Sequence, residues 1–147
     1  MTDVQLFVLL LPKVCVALIA GLIVGVERER KHKAAGIKTL TLICIGAMLF
    51  TIVAEQAHDL GHIIAQIIPG IGFLGAGAIM RPSGDRVSGL TTAAIIWTMA
   101  AIGVLIGLGF VLVPLSLSLL IAAATTAISL IERKLFPTQS DTKNDPS

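Results

Sequence analysis

Charge is scarce in this chain. Asp, Glu, Lys and Arg make up 14% of its 147 residues, against about 25% in ordinary globular proteins, which excludes water as the main solvent. The formal net charge is only +2, aromatic residues amount to 4% and tyrosine is missing. No basic stripe with interleaved aromatics therefore exists, and no nucleic-acid partner is expected. Cysteine is limited to Cys15 and Cys44, both inside apolar stretches where the thiol is a small hydrophobe, so nothing supports a disulfide framework. Met1-Thr2-Asp3 lacks the basic start of a cleavable signal, and more apolar chain follows Pro12-Lys13. The first apolar segment is expected to remain. No inverted repeat marks two matched transporter halves. No Ser-His-Asp or Cys-His-Asp set offers a nucleophile, so no catalytic residue, no enzyme activity and no cofactor are expected.

What is present is apolar: 55% of residues are hydrophobic and the mean hydropathy is +0.93. A transmembrane helix needs roughly 20 mostly apolar residues, and five such stretches lie between polar breaks, at about 4–26, 37–54, 63–80, 90–108 and 109–131. The expected fold class is all-α, a polytopic membrane protein of about five transmembrane helices embedded in the lipid bilayer. Residues 90–131 are uncharged and too long for one crossing, so a tight hairpin near Gly107-Leu108-Gly109, extending as far as Pro114, divides them. Residues 1–135 form the expected membrane domain, and 136–147 read as a disordered polar tail.

Lys and Arg in the short loops set an orientation. The first loop holds Arg28, Arg30, Lys31, Lys33 and Lys38, the second none, the third Arg81 and Arg86, the fourth none, and the C-terminal flank Arg133 and Lys134. This alternation places the N-terminus outside and the C-terminus in the cytoplasm.

Gly70-Ile71-Gly72-Phe73-Leu74-Gly75 matches the dinucleotide fingerprint GxGxxG literally. It lies within a membrane span instead of between a strand and an amphipathic helix, so the match is rejected. In lipid, glycines permit close helix approach, and Gly21 with Gly25, Gly103 with Gly107, and Gly70, Gly72, Gly75 and Gly77 read as helix-packing faces. Pro69 opens a sharper alternative, a discontinuous helix exposing backbone groups.

Lys13 lies near mid-bilayer if the first span starts at Val4, or snorkels outward if that start is shallow. The second choice draws Glu27 and Arg28 toward the interior, where ionisable residues are functional candidates. Glu27 with Lys31 and Glu29 with Lys33 also fit plain i,i+4 pairs on a solvated extension. The turn containing Arg81, Asp85 and Arg86 runs into Ser88, Thr91 and Thr92 at a helix start. It fits an anion such as a lipid phosphate or a partner carboxylate, or a simple orientation-setting loop. Glu55, His58, Asp59 and His62 fall at i, i+3, i+4, i+7, weak candidates for a metal against a solvated outer loop.

Gly-Val-Glu-Arg-Glu-Arg at 25–30, Ala-Gly-Ile-Lys-Thr at 35–39, Gly-Ile-Gly-Phe-Leu-Gly-Ala-Gly at 70–77, Arg81, and Gly-Leu-Thr-Thr-Ala-Ala-Ile-Ile-Trp at 89–97 with Ala-Ala-Ile-Gly at 100–103 together resemble the N-terminal membrane domain of the MgtC/SapB family over about residues 10–131. The resemblance implies a multipass protein of the bacterial inner membrane, linked to growth in low magnesium and, in pathogens, to survival inside macrophages. It marks Glu27, Arg28, Glu29, Thr39, Arg81, Thr91, Thr92 and Trp97. The family has Arg where this chain has Lys38, Arg near His62, and a small residue at Pro69. Its longer members add a cytoplasmic domain with no counterpart in these 147 residues. The leading expectation is a regulator that binds another membrane complex, such as the ATP synthase restrained by the family's best-known member. Glu27, Lys38 and Arg81 would then form a polar cluster, and a homo-oligomer is compatible with this. The alternatives are a transporter or channel for magnesium or another small ion, and an anionic-lipid-binding scaffold.

Overall fold

The computed structural model describes residues 2–79 and 87–135. The turn with Arg81, Asp85 and Arg86 and the tail from 136 onward lie outside the described residues. Five helices follow in order: α1 (Asp3–Arg30), α2 (Ile37–Gln56), α3 (Leu60–Ala78), α4 (Leu90–Gly107) and α5 (Leu112–Leu135). All five contain windows long and apolar enough to cross a membrane.

Local chemistry sets the ends of these helices. Thr2 and Gln5 form a reciprocal capping box at the start of α1, which satisfies two otherwise orphaned N–H groups. Glycine at 36 gives α2 no side-chain cap. The Glu29 carboxylate supplies one from α1, its Oε2 accepting from the Ile37 N–H at 3.2 Å. The pairing of Glu29 with Lys33 expected from spacing is thus displaced by a free backbone donor on the next helix. Beyond α2, His58 takes a left-handed backbone, φ 57°, which interrupts the helical face that Glu55, His58, Asp59 and His62 would need to share.

Helix α3 runs unbroken through Pro69, so the discontinuous helix is not found; a proline removes one ladder hydrogen bond, and the turns on either side carry the helix across. Gly89 stands at φ 91° directly before α4, where a side chain would strike the Ala78 carbonyl oxygen. This tight contact holds the end of α3 to the start of α4. The hairpin expected between the last two spans is present, with Gly109 at φ 94° and the Phe110 N–H bonded to the Leu105 carbonyl at 3.1 Å. Pro114 falls in the first turn of α5, where its missing N–H costs least.

Helices α2 and α4 are central, and half of each apolar window is buried. Their shared core includes Leu40, Met48, Met99, Ile102 and Ile106, all at most 1% exposed. Helix α1 packs beside them, α5 lies along α1, and α3 sits at the edge against α4 and α2. Glycines set the closest crossings. Gly21 lies under Thr41, Gly25 is within 2.6 Å, from its would-be Cβ, of the Ile37 Cα, Gly103 abuts the Cys44 carbonyl, and Gly107 meets Thr51 at 2.5 Å in the same sense. Gly75 makes ordinary contact with Ala93 at 3.6 Å, whereas Gly70, Gly72 and Gly77 have nothing within 4 Å. The helix contacts expected at those three positions are not made among the described residues.

Candidate functional site: a charged cavity between α1, α4 and α5

Two lysine and arginine contacts fix α1 against α4. The Lys13 ammonium donates to the Gly107 carbonyl at 2.6 Å, at the last residue of α4. The Arg28 Nη2 donates to the Thr92 Oγ1 at 2.6 Å, near the first turn of α4. Each pair of positions sums to 120, so the two helices run antiparallel in one register. Lys13 therefore lies level with the end of α4, a cation at a helix C-terminus where the carbonyls are short of donors. Residues 3–12 continue past it beside the α4–α5 turn, sharing a cavity with Gly109, Phe110 and Val111.

At the Arg28 end, α1, α4 and α5 enclose a cavity of about 250 Å³. Helix α1 contributes Glu27 and Arg28, and the loop after it Lys31 and Lys33; α4 contributes Thr91 and Thr92 behind Gly89; α5 contributes Thr125, Ile128, Ser129 and Glu132. Arg28 is only 2% exposed. Its Nε makes no hydrogen bond, and among the described residues it has no ion-pair partner. The Glu27 side chain is 10% exposed, and its Oε1 pairs with the Lys31 Nζ at 2.5 Å while Oε2 has no hydrogen-bond partner among the described residues. Lys31 also reaches α5, donating to the Ser129 Oγ at 3.1 Å and the Thr125 carbonyl at 3.4 Å. Both α5 hydroxyls donate back to carbonyls one turn earlier, Thr125 to Ile121 at 2.8 Å and Ser129 to Thr125 at 2.7 Å. This leaves the Ser129 lone pairs free to accept from Lys31.

The marked residues thus separate. Glu27, Arg28, Thr91 and Thr92 line one cavity. Glu29 serves the start of α2, where Lys38 and Thr39 are exposed. Trp97 is 51% exposed on α4 and does not line the cavity, and Arg81 lies outside the described residues. Lys38 does not line it either, so a cluster built on Glu27 and Lys38 gives way to one built on Glu27, Arg28 and Lys31. Among the described residues no group of three or more His, Cys, Asp or Glu is placed to hold a metal. The α5 contribution was not read from sequence. Its signal is the i, i+4, i+7 spacing of Thr125, Ser129 and Glu132 on one face of an otherwise apolar helix.

Five apolar helices with ionisable groups of α1, Lys13 and Arg28, bonded to α4 define a polytopic α-helical membrane protein. The chain belongs to the MgtC family, whose model matches residues 14–134, beginning one residue after Lys13. It is 36% identical to protein SapB of Bacillus subtilis over 92% of this chain and 63% of that protein. It is 46% identical to protein MgtC of Salmonella typhimurium over 63% of this chain and 41% of the relative. A Haemophilus influenzae protein is 39% identical over 82% of this chain and 56% of its own length. The chain thus spans about two fifths to two thirds of these relatives. No solved structure matches it.

Proposed function

We propose that this chain is an MgtC-like regulator of the bacterial inner membrane, acting under magnesium limitation by binding another membrane complex, such as the ATP synthase, and not by catalysis. The observation that carries this reading is the free face of α3. Only Gly75 of that helix is buried, a Cβ at Gly70, Gly72 or Gly77 would meet nothing within 4 Å among the described residues, and Phe73 is 81% exposed. Glycines contribute no side-chain contact with lipid, yet they let a second helix approach closely. Gln66 and Gly70 line an apolar groove of about 580 Å³ between α2 and α3. An amide there would bond a neighbouring helix better than lipid tails.

Ion permeation through a single chain has less support. Between the Lys13 and Arg28 contacts, Ala17, Ala20, Val24 and Met99 are 0% exposed, leaving an apolar plug where a cation would need oxygen ligands. The test is photo-crosslinking in native membranes under magnesium limitation, with the crosslinker at Phe73 and, as a control, at Leu119 on α5, which is 63% exposed. A discrete heterologous adduct from position 73, weak from 119 and lost in Gly72→Ile, is expected. Adducts to lipid alone from both positions would remove the basis for a partner on α3.

A further inference from the structure

The cavity between α1, α4 and α5 carries an unbalanced positive charge. Glu27 and Lys31 neutralise one another, and among the described residues the Arg28 guanidinium is bonded only to a neutral hydroxyl. At the rim Lys33 and Glu132, both exposed, offset each other. Among the described residues the walls therefore sum to about +1. The start of α4 adds to this, because its N-cap Gly89 has no side chain to satisfy the first N–H groups, which carry roughly half a positive charge. A buried cation without a counter-charge is costly.

We propose that the cavity binds a phosphate oxyanion, its charge answered by Arg28 and the first turn of α4. A monoanionic phosphodiester matches the balance more closely than a dianion. Glu27 Oε2, buried and without a hydrogen-bond partner, adds a preference for a headgroup that carries a hydrogen-bond donor beside its phosphate, as phosphatidylglycerol does and phosphatidylcholine does not. The position at the end of three apolar helices suits a lipid headgroup, and free inorganic phosphate shares the same chemistry. This inference stands apart from the partner-binding face on α3, since no residue of α3 lines the cavity.

The experiment uses the full chain, purified in detergent and reconstituted into nanodiscs of phosphatidylglycerol or phosphatidylcholine, with retained lipid counted by native mass spectrometry. Preferential retention of phosphatidylglycerol is expected. Arg28→Gln should lower it at least about tenfold, the effect of one lost charge-assisted hydrogen bond. Arg28→Lys, which keeps the charge but not the planar fork, should restore part of it. Lys33→Gln removes only a rim charge and tests the site if Arg28→Gln fails to fold, with about a threefold loss expected. Lipid retention that resists added inorganic phosphate identifies a headgroup site. Saturable binding of inorganic phosphate without lipid preference, lost in the same variants, identifies a free-phosphate site. Equal retention of both lipids with no phosphate binding, or retention unchanged in folded Arg28→Gln and Lys33→Gln, overturns the proposal.

Discussion

Gly103 and Gly72 both sit on apolar helices, yet their surroundings are opposite. A methyl at Gly103 would overlap the Cys44 carbonyl oxygen and lie 2.9 Å from the Ala47 Cβ, while one at Gly72 meets nothing within 4 Å among the described residues. Neither carbonyl nor backbone can yield without parting α2 from α4. Overpacking of this kind costs about 1–3 kcal/mol, whereas alanine for an unencumbered helical glycine gains up to about 1 kcal/mol of helix propensity. Gly103→Ala is therefore expected to destabilise the purified protein toward denaturant in micelles, and Gly72→Ala to leave it unchanged or slightly more stable. Equal losses at the two sites would mean that the crossings are not set by glycine contacts. The same logic separates Glu27 from Glu29, which are two residues apart on α1. One turns inward to Lys31 and the cavity, the other outward to the backbone of α2.

Helix α1 is the element on which α4 is registered. Its two cations, Lys13 and Arg28, are fifteen residues apart, as are their acceptors Gly107 and Thr92, a separation of about 22 Å along a helix. Lys13→Met removes a donor from a carbonyl at a helix end, and about 1 kcal/mol is expected. Thr92→Val strips a buried guanidinium of its only hydrogen bond among the described residues, and about 1–3 kcal/mol is expected. Sites this far apart should add within about 0.5 kcal/mol. Denaturant unfolding of the two single variants and the double variant tests this, and a shortfall from additivity above about 1 kcal/mol would show that losing either contact already frees the other. The helices themselves were legible in sequence, since length and hydropathy suffice once lipid is the solvent, and so was the hairpin at Gly109. The peripheral place of α3 was not. In a membrane every helix is apolar, so the periodic polar face that tells inside from outside in water is missing. For the same reason Gly70, Gly72 and Gly77 read like Gly21 and Gly103. The α1 half of the cavity was legible as the Glu27–Lys31 spacing, but its α5 half depended on a pairing of helices nearly a hundred residues apart.

At the scale of the whole molecule, helix directions and loop charges point the same way. Gly21 and Gly25 pair α1 with α2 antiparallel, while Gly103 and Gly107 pair α2 with α4 in parallel. Helices α1 and α5 are parallel as well, with Gln5 and Val111 lining one cavity near their starts and Lys31 bonded to Ser129 near their ends. With α3 antiparallel to α4, Gly75 against Ala93 and Ala78 against Gly89, odd-numbered helices run one way and even-numbered helices the other. Both the α1–α2 loop and the charged cavity lie at one end of the bundle, and the α2–α3 loop lies at the other. The first loop carries Lys31 and Lys33, while the second carries no Lys or Arg, so under the rule that cytoplasmic loops are the basic ones the cavity is expected at the cytoplasmic face and the N-terminus outside. His32 and His58 are exposed in those two loops, and cysteines there would report sidedness. The native thiols should not interfere, because Cys44 is buried and Cys15 lies within apolar α1. In intact spheroplasts a membrane-impermeant maleimide is expected to label His58→Cys at once and His32→Cys only after the membrane is opened. The reverse pattern would turn the molecule over, move the Arg28 cavity to the outer face, and require any headgroup it binds to come from the outer leaflet.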